Sequence, residues 1–313
     1  LEVDVMRLSE VKVWALISVA SLFIVVQCGR LMAQVEALGM PCYGISARSL
    51  GMGGASVAVV GDIGSMLANP AATSKLPQAV ASLNARLNTS EERYFIAGHL
   101  KGAQDGKLGG GIALMWARDE SPLVVGGRTT HFGLMYVISQ PIGMWRGREV
   151  DFGTTIKMHQ QRIKGFGSRT NWTFDIGFLT QIGARTWIGI SSINTTRPSF
   201  NIGTIRKRDE RLINIGIAHQ FDEDTLLAID VWDLEDNTRG WSGGRGSGIA
   251  IRAGLERRIT PALTGRIGVL DGKLTLGLGF KGGFMRNMHI DYAFSDRPSP
   301  EDDIHLLSLN VSF

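Results

Sequence analysis

Apolar and polar residues alternate with a period of two through most of the chain after residue 78, the spacing that sends successive side chains to opposite faces of a strand. Lys107 to Ala117 sets Leu108, Ile112, Leu114 and Trp116 against Gly109, Gly111, Ala113, Met115 and Ala117. Asn171 to Ile182 sets Trp172, Phe174, Ile176 and Phe178 against Thr173, Asp175, Gly177 and Gln181. Ile213, Ile215 and Ile217 oppose Asn214, Gly216 and Ala218, and Leu274, Leu276, Leu278 and Phe280 oppose Thr275, Gly277, Gly279 and Lys281. Met288, Ile290, Tyr292 and Phe294 oppose Asn287, His289, Asp291 and Ala293. In the last segment Leu307, Leu309, Val311 and Phe313 alternate with Ser308, Asn310 and Ser312. The pattern predicts about fourteen strands, near 79–89, 91–100, 107–118, 129–140, 148–162, 171–182, 185–193, 211–221, 223–233, 247–258, 262–269, 273–281, 286–295 and 303–313.

The two faces define the class. In a soluble sandwich the apolar face is the core, and the other face is rich in charge. Here the second face is mostly Gly, Ala, Thr and Asn, which suits the interior of a membrane barrel whose outside is apolar. A tilted segment of about ten residues covers roughly 25 Å, the height of an outer-membrane apolar band. The expectation is an all-β fold: a transmembrane antiparallel barrel. Its last strand closes onto residues 79–89, and Leu309, Val311 and Phe313 act as an assembly signal. Connections alternate in length as such barrels require. Gly183–Ala184, Asp222 to Asp224 and Arg258 to Pro261 are short, whereas Arg118 to Arg128, Asn194 to Glu210 and Asp233 to Gly246 are long and polar. The connections near Thr89 and Asp271 lie on the long-loop side and are short.

Composition narrows the alternatives. The 313 residues are 44% apolar and 20% charged, with 40 Gly; that much glycine disfavours a helical bundle. A net charge of +4 without a basic run gives no sign of nucleic acid. Met6 reads as the natural start, with Arg7 and Lys12 before an uncharged stretch from Val13 to Val26. That stretch is short for a spanning helix and right for an export signal. Residues 1–33 are therefore read as a signal peptide cut after Ala33, with a retained anchor as the alternative. Gln27 before Cys28 does not suit a lipoprotein signal. Cys42 would be the one Cys of the mature chain, which excludes an internal disulfide.

Residues 34–78 do not alternate and are read as a separate segment before a barrel of residues 79–313. Gly51, Gly53 and Gly54 have the look of a nucleotide loop, but Ser56 stands where its third Gly would be, and no Lys-Ser/Thr pair follows. Small residues here suit close backbone packing, and Asn69-Pro70 marks a turn or helix start. "SARSLGMGGASVAVVGD" at 46–62, followed by "NPAA" at 69–72, resembles the N-terminal motif of the PorV/PorQ group of outer-membrane proteins, related in fold to FadL-type transporters. "IRAGLERRI", "LTLGLGFK", "HIDYAF" and "LSLNVSF" agree in order along the C-terminal half. The resemblance implies a fourteen-stranded barrel with the N-terminal segment as a hatch in or under the lumen. Arg48, Gly51, Gly53, Gly54, Asp62, Asn69 and Pro70 are its hatch residues.

Alternation points Asp151, Lys157, His159, Asp175, Arg252, Glu256, Arg266, Lys281, His289 and Asp291 inward. Two readings stand: an ion-pair network holding barrel and hatch together, or groups lining a solute path. Arg48 and Asp62 are candidates to pair with lumen charges. His289 and Asp291 share a face, but no nucleophile beyond the face-only candidates Ser308 and Ser312 accompanies them, so no catalytic set is read. The six scattered His show no metal-ligand spacing, and no cofactor is expected. Trp116, Trp172, Trp187, Trp232, Trp241 and Tyr292 are read as interface girdles. The family implies a non-enzymatic protein of the bacterial outer membrane acting in transport or in type IX-like secretion. The alternatives are a FadL-like channel for hydrophobic molecules and a barrel that anchors an adhesive surface. Expected partners are outer-membrane lipid, the barrel-assembly machinery, and either secretion components or a hydrophobic ligand.

Overall fold

The computed structural model describes residues 46–87, 91–101, 108–120, 128–202, 205–237, 249–282, 287–296 and 303–313. The expected signal peptide and the first part of the hatch lie outside these residues, as does Trp241. Fourteen antiparallel strands close into a barrel. In chain order they are β1 (Val80–Leu87), β2 (Glu91–Lys101), β3 (Gly109–Glu120), β4 (Arg128–Trp145), β5 (Arg148–Ile163), β6 (Gly167–Gly183) and β7 (Thr186–Ile193). After β8 (Ser199–Ile202) and β9 (Ile205–Arg208), which form their own hairpin, come β10 (Leu212–Gln220), β11 (Thr225–Trp232), β12 (Ala250–Thr260), β13 (Leu263–Leu270), β14 (Lys273–Lys281), β15 (Met288–Ser295) and β16 (Ile304–Ser312). Closure joins β1 to β16, with Val80 opposite Ser312 and Leu87 opposite His305. Beyond β16, the Phe313 N–H donates to the Ala79 carbonyl at 2.9 Å.

The alternation places the expected residues outside. Leu114, Trp172, Phe178, Ile215, Ile217, Leu274, Leu276, Leu278, Phe280, Tyr292 and Leu307 form an exposed apolar belt, while most of their neighbours along each strand are buried. A soluble protein has no solvent to match such a belt, and a bilayer does. The start of β1 and the end of β16 share one end of the barrel with the short turns at 146–147, 184–185, 221–224 and 261–262. The long connections at 194–211 and 233–249 lie at the other end. In outer-membrane barrels the short-turn end faces the periplasm.

Three expectations on strand edges are corrected. β4 runs past residue 140 to Trp145, because Pro141 sits at an irregularity between Pro141 and Gly143, where a missing N–H breaks no ladder bond. β6 starts at Gly167 instead of 171, so a tight turn at 164–166 replaces the expected gap. The 194–210 loop carries the β8–β9 hairpin, which its polar composition concealed.

Residues 46–79 fold inside the barrel and supply its core. Ser46 caps a short helix, α1 (Ala47–Gly51), by accepting the Ser49 N–H at 3.1 Å. Two 3-10 turns follow, Ile63–Leu67 and Pro70–Lys75. Asp62 caps the first by accepting from the Gly64 N–H at 3.2 Å. Asn69 caps the second ahead of Pro70, whose absent N–H suits the first helical position. From Ser46 to Ser74 nearly every residue is buried, Arg48, Val60 and Gly61 excepted.

Candidate functional site: the hatch and the lumen wall

The hatch is held by its own backbone against glycines of the wall. Gly153 on β5 faces Gly177 on β6, Gly189 on β7 faces Gly216 on β10, and Gly254 on β12 faces Gly268 on β13. Each cross-strand pair receives one hatch segment. A Cβ on Gly153 would lie 2.4 Å from the Ala71 nitrogen, and one on Gly177 1.9 Å from the Asn69 Oδ1. A Cβ on Gly189 would meet the Val57 carbonyl oxygen at 2.3 Å, and one on Gly216 the Val57 Cβ at 2.8 Å. Gly254 and Gly268 would meet Met52 O at 2.2 Å and Gly53 N at 2.3 Å. Gly53 has φ +66 and would itself strike the Ala253 carbonyl oxygen at 2.4 Å, so both conformation and space require glycine there. Lumen-face glycines thus act as sockets for a particular plug.

Polar side chains then fix the hatch in register. Asp230 on β11 accepts the successive Ser56 and Val57 N–H groups at 2.6 and 2.9 Å. Thr275 Oγ1 on β14 accepts the Gly53 N–H at 3.1 Å and donates to the Gly51 carbonyl at 3.3 Å. Asn69 Nδ2 donates to the Val57 and Phe178 carbonyls at 2.8 and 3.0 Å. Ser308 on β16 accepts the Ala47 N–H at 2.7 Å and donates to Asn84 on β1, its register partner across the closing seam. The hatch helix is therefore tied to the line along which the barrel closes.

An ion-pair chain anchors α1 to the adjoining wall, β12 to β16. Arg48 grips Glu256 with two bonds, Nε to Oε2 at 2.9 Å and Nη2 to Oε1 at 2.8 Å. Glu256 also accepts from Arg266 Nε at 2.6 Å, Arg266 Nη1 donates to Asp291 at 2.7 Å, and Asn310 donates to Asp291 at 3.2 Å. Burial opposes the Arg48 charge, but the Glu256 carboxylate outweighs that and raises its pKa further. Elsewhere Lys157 meets Asp175 at 2.7 Å and Asn194 Oδ1 at 2.7 Å. Lys75 of the hatch bridges Glu149 and Asp151, the latter at 2.9 Å. Near the outer end the Arg252 guanidinium lies 3.9 Å over the Trp232 ring, with Nε 3.2 Å from Asp271. His131 and His159 stack, buried, with ring nitrogens 3.1 Å apart.

Asp151, Lys157, His159, Asp175, Arg252, Glu256, Arg266 and Asp291 lie on the lumen-side face of their strands. Lys281 and His289 share that face. They are register partners at the short-turn mouth and are exposed, because β14 and β15 end there and the wall no longer covers them. Asp62 differs. Its oxygens are engaged by Gly64 N–H and by Ser46 Oγ at 3.3 Å, and no lumen ion pair forms. Burial raises the Asp62 pKa, partly countered by the Arg48 charge and the Gly64 bond. Two supposed girdle residues turn inward: Trp232 is fully buried under Arg252, and Trp187 packs against the interior cluster to which the hatch contributes, with Lys75 Nζ 5.9 Å from its ring centroid. In both strands Trp occupies the lumen-side phase of the alternation, which was the available signal. Trp172 and Tyr292 face outward as expected. The face-only nucleophile candidate Ser308 is occupied by hatch and seam; its register partner on β15 is Asp291, and His289 faces Asn310, two residues further along β16.

One sector of the interface is apolar. Ile63, Met66 and Leu67 of the first 3-10 turn pack against Ala113 and Met115 of β3 and Met135 and Val137 of β4. The lumen wall is thus apolar and methionine-rich around Met115 and Met135, and ion-paired at β12–β16 and at β5–β6. Among the described residues no cluster of metal-ligating side chains occurs.

No protein-family model matches the chain, and no curated protein matches it in sequence. Solved structures match its fold. The Pseudomonas putida toluene transporter TodX superposes with TM-score 0.58 at 14% identity, over 90% of this chain and 99% of that one. The Ralstonia pickettii toluene transporter TbuX gives 0.59 at 13%, over 87% and 99%. A Pseudomonas aeruginosa FadL homologue gives 0.60 at 11%, over 86% and 98%. At these identities the likeness defines the fold, that of a FadL-like barrel.

Proposed function

We propose that the protein is a non-enzymatic channel of the bacterial outer membrane that admits small hydrophobic molecules past its hatch. The observation that carries this reading is the methionine-rich sector between Met66 on the hatch and Met115 and Met135 on the wall. Met side chains re-pack easily around apolar guests, and an uncharged lining spares a hydrophobic solute the desolvation of ion pairs. The toluene-transporter fold supports the same solute class. The test is uptake of radiolabelled toluene and of a long-chain fatty acid by cells lacking their own transporters. Expression is expected to raise uptake of at least one. Uptake equal to that of empty-vector cells, with the barrel folded in the outer membrane, rejects the channel.

A second reading, secretion of the PorV/PorQ type, is favoured by the outer loops. Arg211 and Arg197 converge on Glu235, and Asn237 Nδ2 donates to the Arg211 carbonyl at 2.8 Å. These bonds tie the β9–β10 and β11–β12 connections into a platform beside the β8–β9 hairpin. Cargo capture lost on Arg211→Ala, with solute uptake unaffected, would establish this reading over the channel.

A further inference from the structure

The β4–β5 hairpin runs past the start of β3, where Gly109 pairs with Ser139, and ends beside the β6–β7 turn at the short-turn end. β4 and β5 are 18 and 16 residues long, against 8 or 9 in β10, β11, β13, β14 and β15. The tip turns through Arg146 and Gly147, both at positive φ (49 and 74), the two-residue hairpin geometry that keeps the strands paired to their end. Register and alternation sort its residues. Glu149 and Asp151 point to the lumen side and engage Lys75. Arg148 and Val150 point outward, and opposite them lie Trp145 and Gly143.

Trp145 and Arg148 therefore continue the lipid-facing side of the wall. They lie two residues beyond Val150 on β5, which is roughly 5 Å along the membrane normal at a 40° tilt. That is the short-turn edge of the outward-facing apolar belt. At this depth the side chains are 51% exposed for Trp145 and 52% for Ile142. The Arg146 guanidinium lies 5.0 Å over the Trp145 ring. Among the described residues neither Arg146 nor Arg148 has a carboxylate partner, whereas Arg257 and Arg258 of the same rim are paired with Asp222 and Asp224. The one acid at the tip, Glu149, is already held by Lys75. Arg185, in the adjacent β6–β7 turn, adds a third exposed cation and binds only the Phe221 carbonyl, at 2.7 Å.

We propose that the β4–β5 tip binds anionic phospholipid headgroups of the periplasmic leaflet. A Trp indole suits the bilayer interface. A planar guanidinium matches a phosphate with two parallel bonds, and two of them flank Trp145. The site faces outward, level with the leaflet, and carries surplus positive charge there. A protein partner below the barrel would instead be met by Met144, on the lumen-side face.

Purified, folded protein in detergent is titrated with short-chain phosphatidylglycerol and with short-chain phosphatidylcholine, and bound lipid is counted by native mass spectrometry. Phosphatidylglycerol is expected to bind more tightly. The double variant Arg146→Gln/Arg148→Gln is expected to weaken it about 25-fold, about fivefold per cation near an anionic surface, with phosphatidylcholine unchanged. The paired-arginine variant Arg257→Gln/Arg258→Gln is expected to stay within about twofold of wild type. Migration of the unheated protein on a denaturing gel verifies that each variant is folded; Trp145→Ala supplies a second tip variant, expected to weaken binding too. Equal binding of the two lipids overturns the proposal, as does full phosphatidylglycerol binding by the double variant. So does capture of a periplasmic protein through the tip without any lipid preference.

Discussion

Replacing Gly254 with alanine puts one methyl group where the hatch touches the wall. Its Cβ would lie 2.2 Å from the Met52 carbonyl oxygen and 2.5 Å from two further Met52 backbone atoms. Ordinary contact begins near 3.4 Å, so the hatch backbone must retreat by more than about 1 Å. That retreat breaks the paired bonds of Thr275 to Gly53 and Gly51. Overpacking costs about 1–3 kcal/mol and the two hydrogen bonds about 1 kcal/mol each, roughly 3–5 kcal/mol together. None of this falls on the barrel, whose strand accepts alanine readily. At tenfold per 1.4 kcal/mol, the undocked hatch becomes roughly a hundredfold to several thousandfold more populated. Planar-bilayer recordings are expected to show openings far more frequent than wild type, and the 52–57 amides to lose hydrogen-exchange protection. Gly265→Ala is the control, because its Cβ would approach only the flexible end of Ile259, at 3.1 Å. A Gly254→Ala protein that inserts normally, with conductance and protection like those of Gly265→Ala, would refute the socket account.

Arg48→Ala leaves Glu256 with Arg266 alone and is expected to weaken hatch docking by about 1–3 kcal/mol; unchanged exchange at the α1 amides would contradict this. Asp62→Asn keeps the cap but removes a buried charge. Because the Asp62 pKa is raised in the folded protein, its contribution to stability is full below the ordinary carboxylate range and is lost as pH rises through the folded value. The variant is therefore expected to be more stable than wild type at pH 7 and equal to it below about pH 4, by chemical denaturation; parallel pH profiles would rule this out. Leu309 faces outward between Leu83 and Ile290. Leu309→Asp is expected to impair insertion by up to about 2 kcal/mol at mid-membrane, read as loss of the fast-migrating folded form on gels.

Much of the barrel is legible in one dimension, because a strand in a bilayer has two faces in two solvents. Leu274, Leu276, Leu278 and Phe280 announce their face by period alone, and so do the fourteen strands and the short and long connections between them. Inward placement of Arg252, Glu256 and Arg266 follows from the same period, since a charge on the lipid side is costly. What lies inside could not be read this way. Alternation states that Gly153, Gly177, Gly189, Gly216, Gly254 and Gly268 face the lumen, but not that they pair across strands, because register depends on turns and bulges. Nor does it state that Met52, Val57 and Ala71, far away in sequence, occupy those sockets. Asp62 and Trp232 show the same limit. Each has a residue type with a common surface role, and each takes its actual role from neighbours that only closure of the barrel around the hatch brings within reach. Period alone assigns the lipid side of strands that alternate cleanly, such as β14, but it did not place Trp187 and Trp232. What fills the lumen depends on contacts between segments two hundred residues apart, such as Arg48 with Glu256.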